Sequence, residues 1–209
     1  PAGTLEALPE VAADGTTALA GVRVVGDLRG IPLLKFAVDS GARAISEIID
    51  EPSFQRARES KSVQDLIIIG AGVAGCSAAI EAKKAGLSVM LFESTERLST
   101  LKNFPKRKPI FTYPSDFIPM GSLSVEASEK EALVERLETQ LVEADIDAVT
   151  LTIREVRSSG GHLTAVGDDG SEHRALRVIV AIGKSGKFRR LGVDGDDRAH
   201  VLNRLHDPR

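Results

Sequence analysis

The chain has 209 residues, enough for one domain, or one domain with part of another. It carries 27 basic and 30 acidic residues, a net charge of −3, so no strong positive field marks a nucleic-acid partner. Hydrophobic residues at 42% exclude wholesale disorder, and the lone cysteine, Cys76, excludes an intramolecular disulfide, a CxxC pair and any cysteine-based metal cage.

Residues 1–20 are rich in Ala, Gly, Thr and Pro and read as loop with at most one short helix. The chain begins at Pro1, as a processed or excised product would, and no basic stretch precedes a hydrophobic segment there. A short β-type run, Val22 to Val25, closes on Gly26-Asp27. From Pro32 to Ile49, apolar residues recur every three or four positions (Leu33, Leu34, Ala37, Val38, Ala42, Ile45, Ile48), which predicts a helix. Glu51 to Gln64, charged and carrying Pro52, reads as a linker. Asp65 to Ile69 is the continuous apolar run of a strand covered on both faces. Gly70 to Gly75 interrupts it, Cys76 to Ala85 is a small-residue helix stopped by Gly86, and Ser88 to Phe92 is a second buried strand ending in Glu93. The stretch from Leu66 to Ile80 is the longest apolar one, is broken by glycines, and is too short to cross a bilayer.

Residues 99–122, with four prolines and the only tyrosine, Tyr113, form a long loop, and a loop of that length in a compact domain is more often functional than idle. Ser128-Glu129-Lys130-Glu131 has capping-box spacing ahead of a helix with Leu133, Leu137 and Leu141 on one stripe, a core-packing pattern. Three alternating runs follow, Val149–Arg157, His162–Gly167 and Glu172–Ala175, separated by Gly- and Asp-rich turns as in a meander. Val178 to Gly183 then returns to a buried strand, and the tail from Lys184 is polar and irregular. These elements predict an α/β fold: a Rossmann-like dinucleotide-binding domain with a parallel central sheet and a three-stranded antiparallel β-meander.

Gly70-Ala71-Gly72-Val73-Ala74-Gly75 is a GxGxxG pattern placed after a strand and at the start of a helix. The first glycine permits the sharp turn, the second lets a pyrophosphate approach the backbone, and the third lets helix and strand pack closely. The helix N-terminus then offers its free N–H groups to the phosphate charge. Glu93 lies 23 positions after Gly70 at the end of the second strand, where a carboxylate can accept hydrogen bonds from both hydroxyls of an adenosine ribose. This unit fits FAD and NAD equally well.

Leu66–Ser94 resembles the FAD-binding start of thioredoxin reductase-like oxidoreductases with two dinucleotide domains, and the meander with Ala181-Ile182-Gly183 resembles that family's next FAD-domain landmark. Gly183–Gly195 resembles the stretch leading out of the FAD domain in its bacillithiol disulfide reductase-like branch. Lys102-Asn103-Phe104-Pro105 with the proline-rich loop after it also resembles that branch, which implies that these residues lie near the flavin. Gly21 to Asp27 resembles the family's late Gly-x-x-x-x-Gly-Asp motif, whose aspartate binds the ribityl chain and whose following helix points at the isoalloxazine. In the family that motif follows the GxGxxG; here it precedes it, as in a permuted FAD domain or one whose two pieces flank an NAD(P) domain. The resemblance implies FAD contacts from Gly70, Ala71, Gly72, Val73, Ala74 and Gly75, from Glu93 and Ser94, and from Asn103, Ile153, Ala181 and Gly183. It further implies that Gly26 and Asp27 serve the ribityl chain and Pro32, Leu33, Leu34 and Lys35 the ring edge.

On this reading, residues 1–64 supply the Gly-Asp motif and its helix, and residues 65–209 form the FAD domain, ending where an NAD(P) domain would begin. The implied function is that of an FAD-dependent oxidoreductase fragment: NAD(P)H delivers hydride to FAD, and electrons leave to a disulfide or another redox acceptor. The chain holds no second GxGxxG and no cysteine pair, so the NAD(P)H site and the redox cysteines are expected elsewhere. With FAD as the main partner, a homodimer or a redox protein would be the macromolecular one, in a reducing cytoplasm with no membrane or nucleic acid. The competing reading is a non-catalytic dinucleotide-binding or regulatory module. No residue is expected to be a catalytic acid or base, since the cofactor carries the chemistry.

Lesser features have plainer readings. Cys76 is expected to be a buried helix residue. His162, His173, His200 and His206 lack metal-ligand spacing, and the basic clusters around Lys102–Lys108 and Lys184–Arg190 read as solvated faces.

Overall fold

The computed structural model describes residues 8–59, 63–184, 193–195 and 198. After turns over residues 8–20, strand β1 (Val22–Val24) leads into a 3-10 turn (Gly26–Arg29), then helices α1 (Leu34–Asp50) and α2 (Pro52–Arg58). Strand β2 (Gln64–Ile69), helix α3 (Val73–Lys84) and strand β3 (Val89–Glu93) form the central unit. Then come the single turn α4 (Ser99–Lys102), strands β4 (Pro109–Ile110) and β5 (Ser128–Glu129), and helix α5 (Lys130–Glu143). Strands β6 (Val149–Thr150), β7 (Ile153–Ser159), β8 (His162–Gly167) and β9 (Glu172–Val180) follow.

Seven strands make one sheet in the order β6-β3-β2-β9-β8-β7, with β1 also pairing with β9. Strands β6, β3, β2, β9 and β1 run parallel, whereas β7, β8 and the start of β9 form the antiparallel meander. The mixed sheet follows from β9. Its first residues, Glu172–Ala175, pair with β8, and its last, Val178–Val180, pair with β1. The third meander run and the buried strand, expected as separate elements, are therefore one strand: Leu176-Arg177 between them holds no glycine or proline to turn the chain. The opposite holds for Val149–Arg157, which splits at Leu151-Thr152 as the chain leaves the β3 edge for the meander.

Alternation along β2 divides the core. Leu66 and Ile68 face the layer of α1, α3 and α5 with Leu91 and Ile179, while Ile67 and Ile69 face Val22, Phe92, Leu163 and Val178. Each such buried aliphatic side chain contributes about 2 kcal/mol relative to exposure. Helices α1 and α3 touch closely at Gly41, where a Cβ would lie 2.1 Å from the Ala74 carbonyl oxygen, and Ser77 Oγ donates to the Val38 carbonyl at 2.8 Å.

The segment expected as a linker contains α2. Pro52 stands in its first turn, where a missing N–H costs nothing. Its Phe54 is buried beneath the guanidinium groups of Arg58 and Arg177, 5.9 and 5.4 Å from the ring centre. Glu51 joins β1 to β9 by accepting from Arg23 at 2.9 Å and from Arg177 at 2.7 Å. The capping box does not form: Glu129 is the N-cap without a side-chain bond, Ser128 pairs with Ile110, and Glu131 accepts from the Arg107 N–H. Helix α3 begins at Val73, three residues before its expected start.

Candidate functional site

Parallel pairing brings four strand ends to one edge of the sheet. There β3 ends at Glu93, β2 runs into Gly70, β9 into Ala181, and β1 into Gly26. Bonds beyond the strands keep these ends in register: Gly70 N–H donates to the Phe92 carbonyl at 2.7 Å, Ala181 N–H to Ile69 at 2.7 Å, and Val25 N–H to Val180 at 3.0 Å. From β2 the sheet extends to β3 on one side and to β9 and β1 on the other, and ligands of open α/β sheets bind in the crevice at such carboxyl ends.

The three motif glycines have separable roles. Gly70 has φ +102°, and a Cβ there would lie 2.5 Å from the Ala181 carbonyl oxygen. A Cβ on Gly75 would lie 1.9 Å from the Gly70 carbonyl oxygen. Both are thus required by the protein's own packing. Gly72 differs: its φ is −73°, and nothing lies within 4 Å of a Cβ built on it. Its bare backbone faces open space at the N-terminus of α3, which has no side-chain cap and no acidic residue in its first turn. An anion fits there, drawn by unpaired N–H groups and the helix dipole.

On one side of this point, the Glu93 carboxylate takes the Ala71 N–H at 2.8 Å with one oxygen, and Ser94 Oγ and Thr95 N–H, each at 3.1 Å, with the other. It borders a cavity of about 190 Å³ lined also by Arg97, Asp147 and Thr150. On the other side lies a cavity of about 390 Å³ between the glycine loop, Gly26-Asp27, the start of α1 and the loop carrying Leu98–Tyr113. Its size is within the range of small-molecule sites. Leu98, Leu101, Phe104, Ile110, Phe111 and Tyr113 supply apolar wall, and Lys108 Nζ sits 3.7 Å above the Phe104 ring.

Asp27 faces this cavity half-buried, and burial raises its carboxyl pKa. Its carboxylate has no hydrogen bond or ion pair among the described residues, so hydroxyl donors would satisfy it. The turn is fixed from behind by Ser40 Oγ, which accepts the Gly26 N–H at 2.9 Å. Helix α1 begins beside it after Leu33, uncapped by any side chain.

Of the residues singled out in the sequence, Gly26, Asp27, Pro32, Leu33, Leu34, Gly72, Val73, Ala74, Ala181 and Gly183 line the larger cavity. Glu93 lines the smaller one. Gly70, Ala71 and Gly75 form the turn behind, and Ser94 braces Glu93. Three lie elsewhere. Lys35 is buried and gives its ammonium to the carbonyls of Pro114, Ser115 and Phe117. Asn103 closes α4, its N–H donating to the Ser99 carbonyl. Ile153 opens β7 opposite Gly167 and packs on the far face of the sheet. Tyr113, noted in the sequence as the only tyrosine of the proline-rich loop, lines the cavity with Leu98, Leu101, Ile110 and Phe111, which the sequence reading does not single out; the loop's aromatics are the signal for Phe111.

Cys76 is buried, its thiol pushed up to about 12 by desolvation, and its Sγ lies 3.3 Å from the Ala71 carbonyl oxygen. Lys102 is paired with Glu138 and Glu96 at 2.8 and 3.0 Å, so it is not the solvated residue its cluster suggested. Lys187, Arg189, Arg190, His200 and His206, and most of Gly183–Gly195, lie outside the described residues. Among the described residues no three His, Cys, Asp or Glu are grouped to hold a metal ion, and no helix is long and apolar enough to cross a membrane.

The fold is similar to the bacillithiol disulfide reductases of Staphylococcus aureus and Bacillus cereus, each with TM-score 0.52 at 19% identity. The match covers 65% of this chain and 43% of the first structure, and 66% and 45% for the second. In sequence, a thioredoxin reductase of Mycolicibacterium smegmatis is 32% identical over 144 residues, 66% of this chain and 40% of the relative. A ferredoxin–NADP reductase of Ignicoccus hospitalis is 26% identical over 147 residues, 70% and 45% of the two. The chain thus spans less than half the length of these curated relatives. The pyridine nucleotide-disulphide oxidoreductase family model matches residues 64–207, and the chain belongs to that family.

Proposed function

We propose that the chain is the FAD-binding domain of an NAD(P)H-dependent flavoprotein oxidoreductase. The observation that carries this reading is Gly72: open space over an uncapped helix N-terminus, with an acid already held at Glu93 on one side and an unpartnered half-buried acid, Asp27, on the other. These residues fit the successive parts of one long dinucleotide. The first turn of α3 would hold the pyrophosphate, Glu93 the adenosine ribose hydroxyls, and Asp27 the ribityl hydroxyls. The start of α1 would present its N–H groups to the ring edge, and the apolar wall from Leu98 to Tyr113 would exclude water. Bound FAD supplies two-electron transfer between a nicotinamide and an acceptor. Family membership favours this redox function over a non-catalytic nucleotide module.

The single GxGxxG is assigned to FAD, so the NAD(P)H site and the acceptor, a disulfide or a redox carrier, would lie in another part of the protein or in a partner subunit. The Gly-Asp segment lies outside the matched residues 64–207, yet β1 pairs with β9 and Asp27 lines the cavity. This supports an FAD domain whose ribityl-binding piece precedes its pyrophosphate-binding piece. The lone, buried thiol suits a reducing cytoplasm.

Calorimetric titration of the chain with FAD, beside its Gly72→Val variant, tests the reading. Binding by the parent and its loss in a variant of unchanged Tm supports it. Equal affinity in both would remove the pyrophosphate from this loop.

A further inference from the structure

Residues 111–124 have no regular structure, yet three helices hold them. From α1, buried Lys35 Nζ donates to the carbonyls of Pro114 at 2.8 Å, Ser115 at 3.1 Å and Phe117 at 2.7 Å. Also on α1, Phe36 packs against Phe117 with ring centres 4.9 Å apart, and Asp39 Oδ1 accepts the Met120 N–H at 2.8 Å. Glu81 on α3 accepts the Ser122 N–H at 2.7 Å, and Gln140 on α5 brackets Ser124 through both of its amide atoms. This loop is a fixed strap.

At its head stand Phe111 and Tyr113, 64% and 59% exposed, with ring centres 6.0 Å apart and planes 26° from parallel. Both line the larger cavity. An exposed aromatic by itself needs no explanation, but a stacked pair held on a fixed strap in a cavity wall is a preorganised surface for a third ring. We propose that Phe111 and Tyr113 are the stacking wall for the isoalloxazine ring, with Tyr113 in contact with it. The proposal rests on the FAD reading above and assigns its ring-binding surface.

The composition makes this directly readable. Tyr113 is the only tyrosine, and the chain has no tryptophan. A phenol touching a light-excited isoalloxazine gives it an electron and takes it back, quenching emission with no net reaction. The benzyl ring of phenylalanine is too hard to oxidise to do so. Tyr113→Phe therefore keeps the stacking surface and removes the quencher.

The experiment uses the full chain and its Tyr113→Phe and Tyr113→Leu variants, each loaded with FAD and desalted. Bound FAD is counted by absorbance after release with denaturant, and emission and lifetime are expressed per bound FAD. The expected result is a dim parent and a severalfold brighter, longer-lived Tyr113→Phe at unchanged FAD content, with Tyr113→Leu equally bright but retaining less FAD. Equal emission per bound FAD in all three would overturn the proposal and leave the FAD reading standing. A parent that retains no FAD would overturn that reading, and the ring assignment with it.

Discussion

The Ala71 N–H donates to Glu93 Oε2 at 2.8 Å, so the loop after β2 is tied to the acid that ends β3 before any ligand arrives. Thr95 and Ser94 hold the other carboxylate oxygen, and the acceptor is thereby preorganised. Hydrogen bonds to a charged group are worth about 1.5–3 kcal/mol, so Glu93→Ala should weaken FAD and ADP-ribose alike, roughly 10- to 100-fold. Titration of both ligands checks this; loss confined to FAD would place Glu93 away from the adenosine ribose.

The two helix-side glycines should separate stability from binding. Gly75→Ala puts a methyl 1.9 Å from a backbone oxygen. It should destabilise the chain by about 1–3 kcal/mol in urea unfolding. Gly72→Ala meets nothing within 4 Å and should change stability by less than about 0.5 kcal/mol while lowering FAD affinity.

Asp27 carries a cost in the ligand-free chain, because burial raises its carboxyl pKa above the ordinary 3.8. The native state then holds this proton more tightly than the unfolded chain, and stability falls as pH rises from 3.8 through the raised value. Asp27→Asn should therefore raise Tm at neutral pH, and the gain should shrink as pH falls through the raised pKa. The same variant should weaken FAD about tenfold or more and leave ADP unchanged, since a carboxylate acceptor is lost on the ribityl side alone. Equal losses for FAD and ADP would contradict the assignment.

The central unit was legible because its signals are local: an apolar run, glycines at fixed offsets, a small-residue helix and a terminal acid within thirty positions. The adjacency of Asp27 to that unit is not local. It follows from β1 pairing with β9, more than 150 residues later in the chain. The anchorage of the Lys35 ammonium is not local either: its partners lie 79 to 82 residues away in a loop without periodicity. Pro52 misled because a proline that ends one helix can also open the next, and the capping box failed because Ser128 was already committed to β5.

Lys35→Met keeps the length of the side chain and deletes its donors, leaving the Pro114, Ser115 and Phe117 carbonyls without that ammonium. A loss of about 2–3 kcal/mol is expected in urea unfolding, with faster proteolysis between residues 113 and 122. Lys35→Arg, still a cation with donors, should recover part of both. An unchanged cleavage pattern would show that the strap does not depend on this residue.

Burial at Cys76, with its thiol pKa near 12, should keep it unreactive. At pH 8 a thiol reagent should label the native chain only at the rate of unfolding, and rapidly once it is denatured. Fast native labelling would place the sulfur on an accessible surface.

The most direct measurement is an absorbance spectrum of the purified chain after incubation with FAD and desalting. The account predicts retained bands at roughly 370 and 450 nm, those of an oxidised protein-bound flavin, at one FAD per chain. A colourless protein, still folded by circular dichroism, would contradict it.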